Sequence, residues 1–175
     1  MALDLPVRER AELAAWRDAL IAGRDDLRPV REEALHVTLA FLGYRPEKEI
    51  EAIAAAVESA ATGPALVLTA GPVVPLPKGR PRLFALDLVD QDGACARLQQ
   101  SLTDRLEAGR FYRPEKRPFW PHVTLGRVKR DRRAAPLPAD RPPLASMRAS
   151  QVTLYRSTLR PQGAEYEPLA QRGLG

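Results

Sequence analysis

Apolar positions along the chain change period several times, and each change marks an element. Residues 2–5 read as a short strand. Pro6 then suits the first turn of a helix, and Leu13, Trp16 and Leu20 recur at spacings of three and four, predicting a helix over about 6–22 closed by Gly23. Residues 35–42 form an apolar-rich strand that ends at Gly43. Pro46 opens a second helix with Ile50, Ile53 and Val57 at helical spacing, and Gly63-Pro64 closes it. Strand-like runs at 65–70 and 82–89 flank a Pro- and Gly-rich connection over 71–81. A third helix is predicted at about 93–108, with Leu98, Leu102 and Leu106 on one face and Gly109 as its stop. The segment 110–121 is too rich in proline and charge for a regular element and reads as a loop. A strand begins at His122, a second long loop covers 131–143, and a final strand covers 150–158, where β-branched and aromatic residues are dense.

One feature of this pattern recurs. The tetrapeptide His-Val-Thr-Leu starts at His36 and again at His122, and these are the two histidines of the chain. Average residue frequencies make a match at the three following positions a roughly one-in-a-thousand event. The recurrence predicts two similar halves, each contributing one copy to a single domain spanning residues 1–175.

Composition narrows the class without deciding it. The chain is 45% hydrophobic and 28% charged, as expected of a globular protein rather than a disordered one. A single cysteine, Cys95, cannot form an internal disulfide and reads as a small buried filler. No basic segment followed by an apolar run opens the chain, and no stretch reaches the roughly 20 apolar residues of a membrane helix, so the cytoplasm is the expected compartment. Lys and Arg outnumber Asp and Glu by 27 to 22. Much of the excess lies around the second motif, at Arg110, Arg113, Lys116, Arg117, Arg127, Lys129, Arg130, Arg132 and Arg133. That distribution suits a polyanionic partner such as RNA and equally suits a solvated loop.

In an extended strand alternate side chains share a face, so His36 goes with Thr38 and His122 with Thr124, while Val37, Leu39, Val123 and Leu125 anchor the other side. If the halves face each other, two imidazoles and two hydroxyls line one cleft. One histidine can then accept a proton while the other donates one, and the hydroxyls can hold nonbridging oxygens, which suits an in-line displacement at phosphorus. A lone strand histidine is usually structural; the duplicated context reverses that preference. Two histidines supply too few ligands for a metal site, and neither motif contains an acidic residue. The serines lack a nucleophile-elbow pattern, and no glycine-rich phosphate loop is present.

Paired His-x-Thr-x motifs are the signature of the 2H phosphoesterase superfamily. "REEALHVTLAFLG" and "FWPHVTLGR" resemble its RNA 2′,3′-cyclic phosphodiesterase branch, whose members were long described as 2′-5′ RNA ligases. "VTLYRSTLRPQGAEYEPLA" resembles that branch's closing strand and Gly-x-x-Tyr tail, so the similarity runs along nearly the whole chain. The resemblance implies a bilobal α+β fold, two antiparallel sheets flanked by helices, with both motifs in a central cleft between two pseudo-symmetric lobes. It implies hydrolysis of 2′,3′-cyclic phosphate ends to 2′-phosphates without metal or other cofactor, with His122 as the base that activates water and His36 as the acid that protonates the departing 3′ oxygen. Thr38 and Thr124 carry over as phosphate donors. Arg127 resembles an arginine at the phosphate or base, and Phe41 an aromatic that stacks on the base. Strict alternation puts Arg127 and Phe41 on the face opposite the histidines, so a bulge or a strand end must turn them inward.

Two departures are visible. Family members usually carry several residues before the Ala-Leu-Asp-Leu-Pro equivalent, whereas Met1 directly precedes it here, so the first strand is expected to be short or the start to lie upstream. The segment 110–121 and the 131–143 loop match no family motif. The expected partners are RNA with 2′,3′-cyclic phosphate ends or cyclic nucleotides, with no membrane, and the protein is expected to be a monomer. Three alternatives stand beside this reading: 2′-5′ end-joining by the same acid and base run backwards, a noncatalytic RNA-binding module using Phe41, Trp120 and the basic loop, and hydrolysis of another cyclic phosphate such as ADP-ribose 1″,2″-cyclic phosphate.

Overall fold

The computed structural model describes residues 1–138, 140–161 and 163–175. In chain order these form β1 (Ala2–Asp4), α1 (Val7–Leu20), β2 (Leu27–Pro29), β3 (His36–Thr38), α2 (Ile50–Ala60), β4 (Leu66–Leu76), β5 (Leu83–Val89), α3 (Ala94–Ala108), β6 (His122–Val128), β7 (Ser146–Ala149), β8 (Gln151–Arg160) and β9 (Gly163–Gly173). Short 3₁₀ turns at Glu32–Ala34 and Glu47–Glu49 precede β3 and α2. The fold is α+β, with every described strand pair antiparallel.

The strand order is β7-β4-β5-β6-β3-β1-β8-β9, with β2 pairing alongside β6. Two runs of four strands therefore meet where β3 touches β6, and that contact is the single pair Val37 and Val123. Both valines are wholly buried. Full burial of such a side chain contributes roughly 1.5–3 kcal/mol, so the seam is held by packing as much as by its ladder. Leu3, Leu35, Leu86, Leu125 and Val152 extend the same core.

The three helices follow the expected periodicities. Leu13 and Ala14 of α1, Ile53 and Val57 of α2, and Leu98, Leu102 and Leu106 of α3 are buried. The α3 start is held by Asp90, whose carboxylate accepts the backbone N–H groups of Cys95 (3.2 Å) and Ala96 (2.9 Å), two first-turn donors that have no carbonyl partner within the helix. Cys95 is buried within α3, and burial pushes its thiol up to about 12, as befits a filler rather than a reactive group.

The sheet departs from expectation in four places. β3 stops at Thr38 rather than running to 42, because the next two backbone N–H groups, of Leu39 and Ala40, both turn to the Met1 carbonyl. β4 continues through the expected connection as far as Leu76, across an irregularity between Ala70 and Val73. β2 and β7 are additional strands that short length conceals. After β8 the chain returns as β9, an eleven-residue edge strand in which Pro168 sits at a register shift opposite Tyr155. Proline is tolerated there because an edge strand needs only one row of ladder bonds. Ala139 of the 131–143 loop and Gln162 of the C-terminal segment lie outside the described residues. Among the described residues no helix is long and apolar enough to cross a membrane.

Candidate active site

The Val37 and Val123 pair determines what surrounds it. Carried one residue either way, that antiparallel register sets His36 against Thr124 and Thr38 against His122, all four on the face opposite the buried valines. The histidines occupy one diagonal of this square and the threonines the other. Diagonal neighbours in an antiparallel pair lie about 7–8 Å apart, a span across which two imidazoles can converge on one group. The structure thus brings His36, His122, Thr38 and Thr124 together.

Arg127 joins them through an irregularity in β6. Against β5, Asp87 pairs with His122 and Ala85 with Thr124, but the register shifts between Ala85 and Phe84, so that Leu83 pairs with Arg127. Asp87, Ala85 and Leu83 alternate regularly on β5 and share one face. Their partners His122, Thr124 and Arg127 therefore share it too, and the extra residue on β6 is the bulge that alternation required. Arg28 of β2 lies directly across from Arg127 and spends one N–H on the Pro161 carbonyl, 2.8 Å away. Phe41 falls outside the ladder, beyond the end of β3, and is 74% exposed.

The two histidines have different surroundings. His122 Nδ1 lies 2.8 Å from the Trp120 carbonyl oxygen. A carbonyl only accepts, so Nδ1 carries the hydrogen and the lone pair of the neutral ring is at Nε2. The Trp120 ring stacks on the imidazole with centroids 4.2 Å apart and planes 15° from parallel, and Trp120 Nε1 donates to Asp87 Oδ1 at 2.6 Å. His36 is stacked on Tyr155 at 5.8 Å and 17°, and meets the edge of Tyr166 at 5.0 Å and 84°. Among the described residues its Nδ1 is buried without a partner, so Nε2 is the ring nitrogen left to exchange protons.

Burial pushes the His36 imidazole down to about 4, helped by the positive α-amino group of Met1 and opposed by Asp4. The Met1 amine is itself buried, donates to the Ala40 carbonyl at 2.8 Å, and is lowered to about 6 by desolvation against the attraction of Asp4. Asp4 is the hub of this side. It accepts from Thr153 Oγ1 at 2.5 Å, Tyr155 Oη at 3.0 Å and Gln151 Nε2 at 3.1 Å. Tyr155 is raised to about 12 by burial and by the charge of Asp4.

Asp4, Asp87 and Tyr155 had no place in the motif reading, yet a signal for the aspartates was present. Ala-Leu-Asp-Leu also occurs twice, as Ala2–Leu5 and Ala85–Leu88. Each copy pairs with a His-Val-Thr segment in the same register: Asp4 against His36 and Ala2 against Thr38, then Asp87 against His122 and Ala85 against Thr124. The internal repeat is therefore a pair of strands rather than one tetrapeptide.

Comparison with known proteins agrees with this geometry. Residues 5–160 match the family model of the 2′-5′ RNA ligase superfamily. The chain is 32% identical over 173 residues to the RNA 2′,3′-cyclic phosphodiesterase of Methanothermobacter thermautotrophicus, an alignment covering 95% of this chain and 92% of that protein. Among solved structures it is similar to TT0787 of Thermus thermophilus, with a TM-score of 0.84 and 28% identity over 98% of this chain and 94% of that one. It is also similar to Escherichia coli LigT complexed with 3′-AMP, with a TM-score of 0.78 and 26% identity over 99% and 95% of the two chains. The chain belongs to the 2′-5′ RNA ligase superfamily, the 2H phosphoesterases.

Proposed function

We propose that the protein hydrolyses 2′,3′-cyclic phosphates at RNA ends or on nucleotides, leaving a 2′-phosphate, by acid and base catalysis from its two histidines. The observation that carries this reading is the diagonal of His36 and His122 about the Val37 and Val123 pair. It offers two proton-transfer groups to opposite sides of one phosphorus, with Thr38 and Thr124 on the other diagonal to hold nonbridging oxygens.

His122 is suited to the base. With Nδ1–H committed to the Trp120 carbonyl, Nε2 is the acceptor that takes a proton from water as its oxygen bonds to phosphorus. The bond from phosphorus to O3′ then breaks, and His36 delivers a proton to the departing oxygen through Nε2. Before substrate arrives, His36 is neutral at pH 7, because burial holds it near 4. An anionic phosphate in the cleft adds to the attraction of Asp4 and favours the imidazolium, the form from which His36 donates. Arg127 stabilises the phosphate charge, and Phe41 offers an exposed ring for a base.

Residues 1–175 are read as one domain of two pseudo-symmetric lobes, a reading supported by the matched register of the two Ala-Leu-Asp-Leu and His-Val-Thr pairs. The name of the M. thermautotrophicus relative and the 3′-AMP complex of LigT support a nucleotide substrate. The experiment is turnover of an RNA oligonucleotide ending in a 2′,3′-cyclic phosphate, in excess chelator, with the product identified. A 2′-phosphate end is expected. Joining to a 5′-hydroxyl RNA in place of hydrolysis would give the ligase direction instead, and RNA binding unaffected by loss of either histidine, with no turnover, would mark a binding module.

A further inference from the structure

Each histidine of the site has an aspartate directly across the ladder, yet among the described residues neither carboxylate bonds its imidazole. Both reach it through an aromatic ring. Asp87 Oδ1 accepts from Trp120 Nε1 at 2.6 Å, and the Trp120 ring stacks on His122 at 4.2 Å and 15°. Asp4 Oδ1 accepts from Tyr155 Oη at 3.0 Å, and the Tyr155 ring stacks on His36 at 5.8 Å and 17°. The same sequence of carboxylate, aromatic donor and parallel imidazole thus occurs in both runs of the sheet.

We propose that Asp87 with Trp120, and Asp4 with Tyr155, are two equivalent positioning pairs, in which the carboxylate pins an aromatic ring and the ring sets the plane of the catalytic imidazole. The proposal rests on the reading of His36 and His122 as acid and base. Stacking alone leaves a ring free to slide, whereas a hydrogen bond to a charged acceptor fixes its edge. Trp120 holds His122 twice, by its ring and by its carbonyl. Asp87 has room because β4 passes it at Gly71, where a Cβ would stand 2.8 Å from Asp87 Oδ2 and 3.1 Å from its carbonyl oxygen. On the other side Thr153 and Gln151 complete the grip on Asp4, and Tyr166 closes the open edge of His36.

Around His36 the titratable groups are Asp4 on β1, the Met1 amine, Tyr155 on β8, Tyr166 on β9 and, diagonally, His122 on β6. Around His122 they are Asp87 on β5, Arg127 along its own strand and, diagonally, His36 on β3.

The test uses the fact that the chain has two histidines, so an imidazole nitrogen NMR spectrum holds two patterns. Asp87→Asn and Trp120→Phe are expected to move the His122 nitrogens and leave His36 in place; Asp4→Asn and Tyr155→Phe are expected to do the reverse. On cyclic phosphate substrate each lowers kcat by about ten- to a hundredfold, the cost of a misplaced catalytic group, with KM within about threefold of the parent. Folded variants whose imidazole signals match the parent, or which disturb both histidines alike, would overturn the proposal. The ring substitutions carry the test if an aspartate variant does not fold. Selective NMR changes in a protein that turns over no cyclic phosphate would leave the positioning pairs standing and remove the proposed reaction.

Discussion

Val37 lies directly across the sheet from Val123, and through that one pair the two runs of four strands come into register. The placement of the two histidines and two threonines follows from it. Shifting either strand by one residue would carry its histidine and threonine to the buried side.

The seam is therefore expected to be sensitive to volume. Val123→Ala removes two methyl groups from a fully buried position and is expected to destabilise the fold by about 2 kcal/mol, measured by denaturant unfolding. Loosening the seam also loosens the diagonal of histidines, so kcat is expected to fall while the native state remains well populated. Parent-like stability in Val123→Ala would show that the seam is held elsewhere.

His36 makes stability depend on pH in a definite direction. Its ordinary value of 6.5 is depressed to about 4 in the fold. Between these values the unfolded chain binds a proton that the native state refuses, so stability is present above about pH 6.5 and is lost as pH falls toward 4. The loss amounts to at most about 3 kcal/mol. His36→Gln, which cannot titrate, is expected to flatten the pH dependence of unfolding stability between about pH 6.5 and 4. An unchanged pH dependence would contradict the burial of the imidazole.

Arg127 reaches the histidine face only because of the bulge in β6. Arg127→Leu is expected to lower kcat/KM on a cyclic phosphate by about tenfold or more, mainly through KM, as loss of a charge-assisted bond requires. Lysine should restore part of the effect, lacking the planar fork. Equal kcat/KM in Arg127→Leu would mean that the side chain does not meet the substrate.

Cys95 is expected to resist alkylation in the native protein and to react once the chain is unfolded, since its thiol is wholly buried and raised to about 12. Rapid labelling under native conditions, followed by mass spectrometry, would contradict that packing of α3.

The helices were legible because their apolar residues repeat with a helical period over three or more turns, as Leu98, Leu102 and Leu106 show. The two motif strands were legible from their apolar-rich runs, and their kinship from the repetition. β2 and β7, at three and four residues, carry too little period to register. β9 was hidden for a different reason: Gly163, Pro168 and Gly173 are poor strand formers, and an exposed edge strand needs no alternation of apolar residues. The position of Arg127 depended on a bulge, which is a property of two strands together and is invisible in either one. Asp4 and Asp87 were written plainly in the repeated Ala-Leu-Asp-Leu, but their meaning appears only when each strand is laid against its partner.

The proposed reaction stands or falls on His36 and His122 acting as one acid and base pair on a cyclic phosphate. Single-turnover hydrolysis of an RNA ending in a 2′,3′-cyclic phosphate, in chelator, by the parent, His36→Ala and His122→Ala puts that pairing to the test. The parent is expected to yield a 2′-phosphate product, and either variant to lose at least about a hundredfold in rate. Turnover at the parent rate in both variants would contradict the pairing.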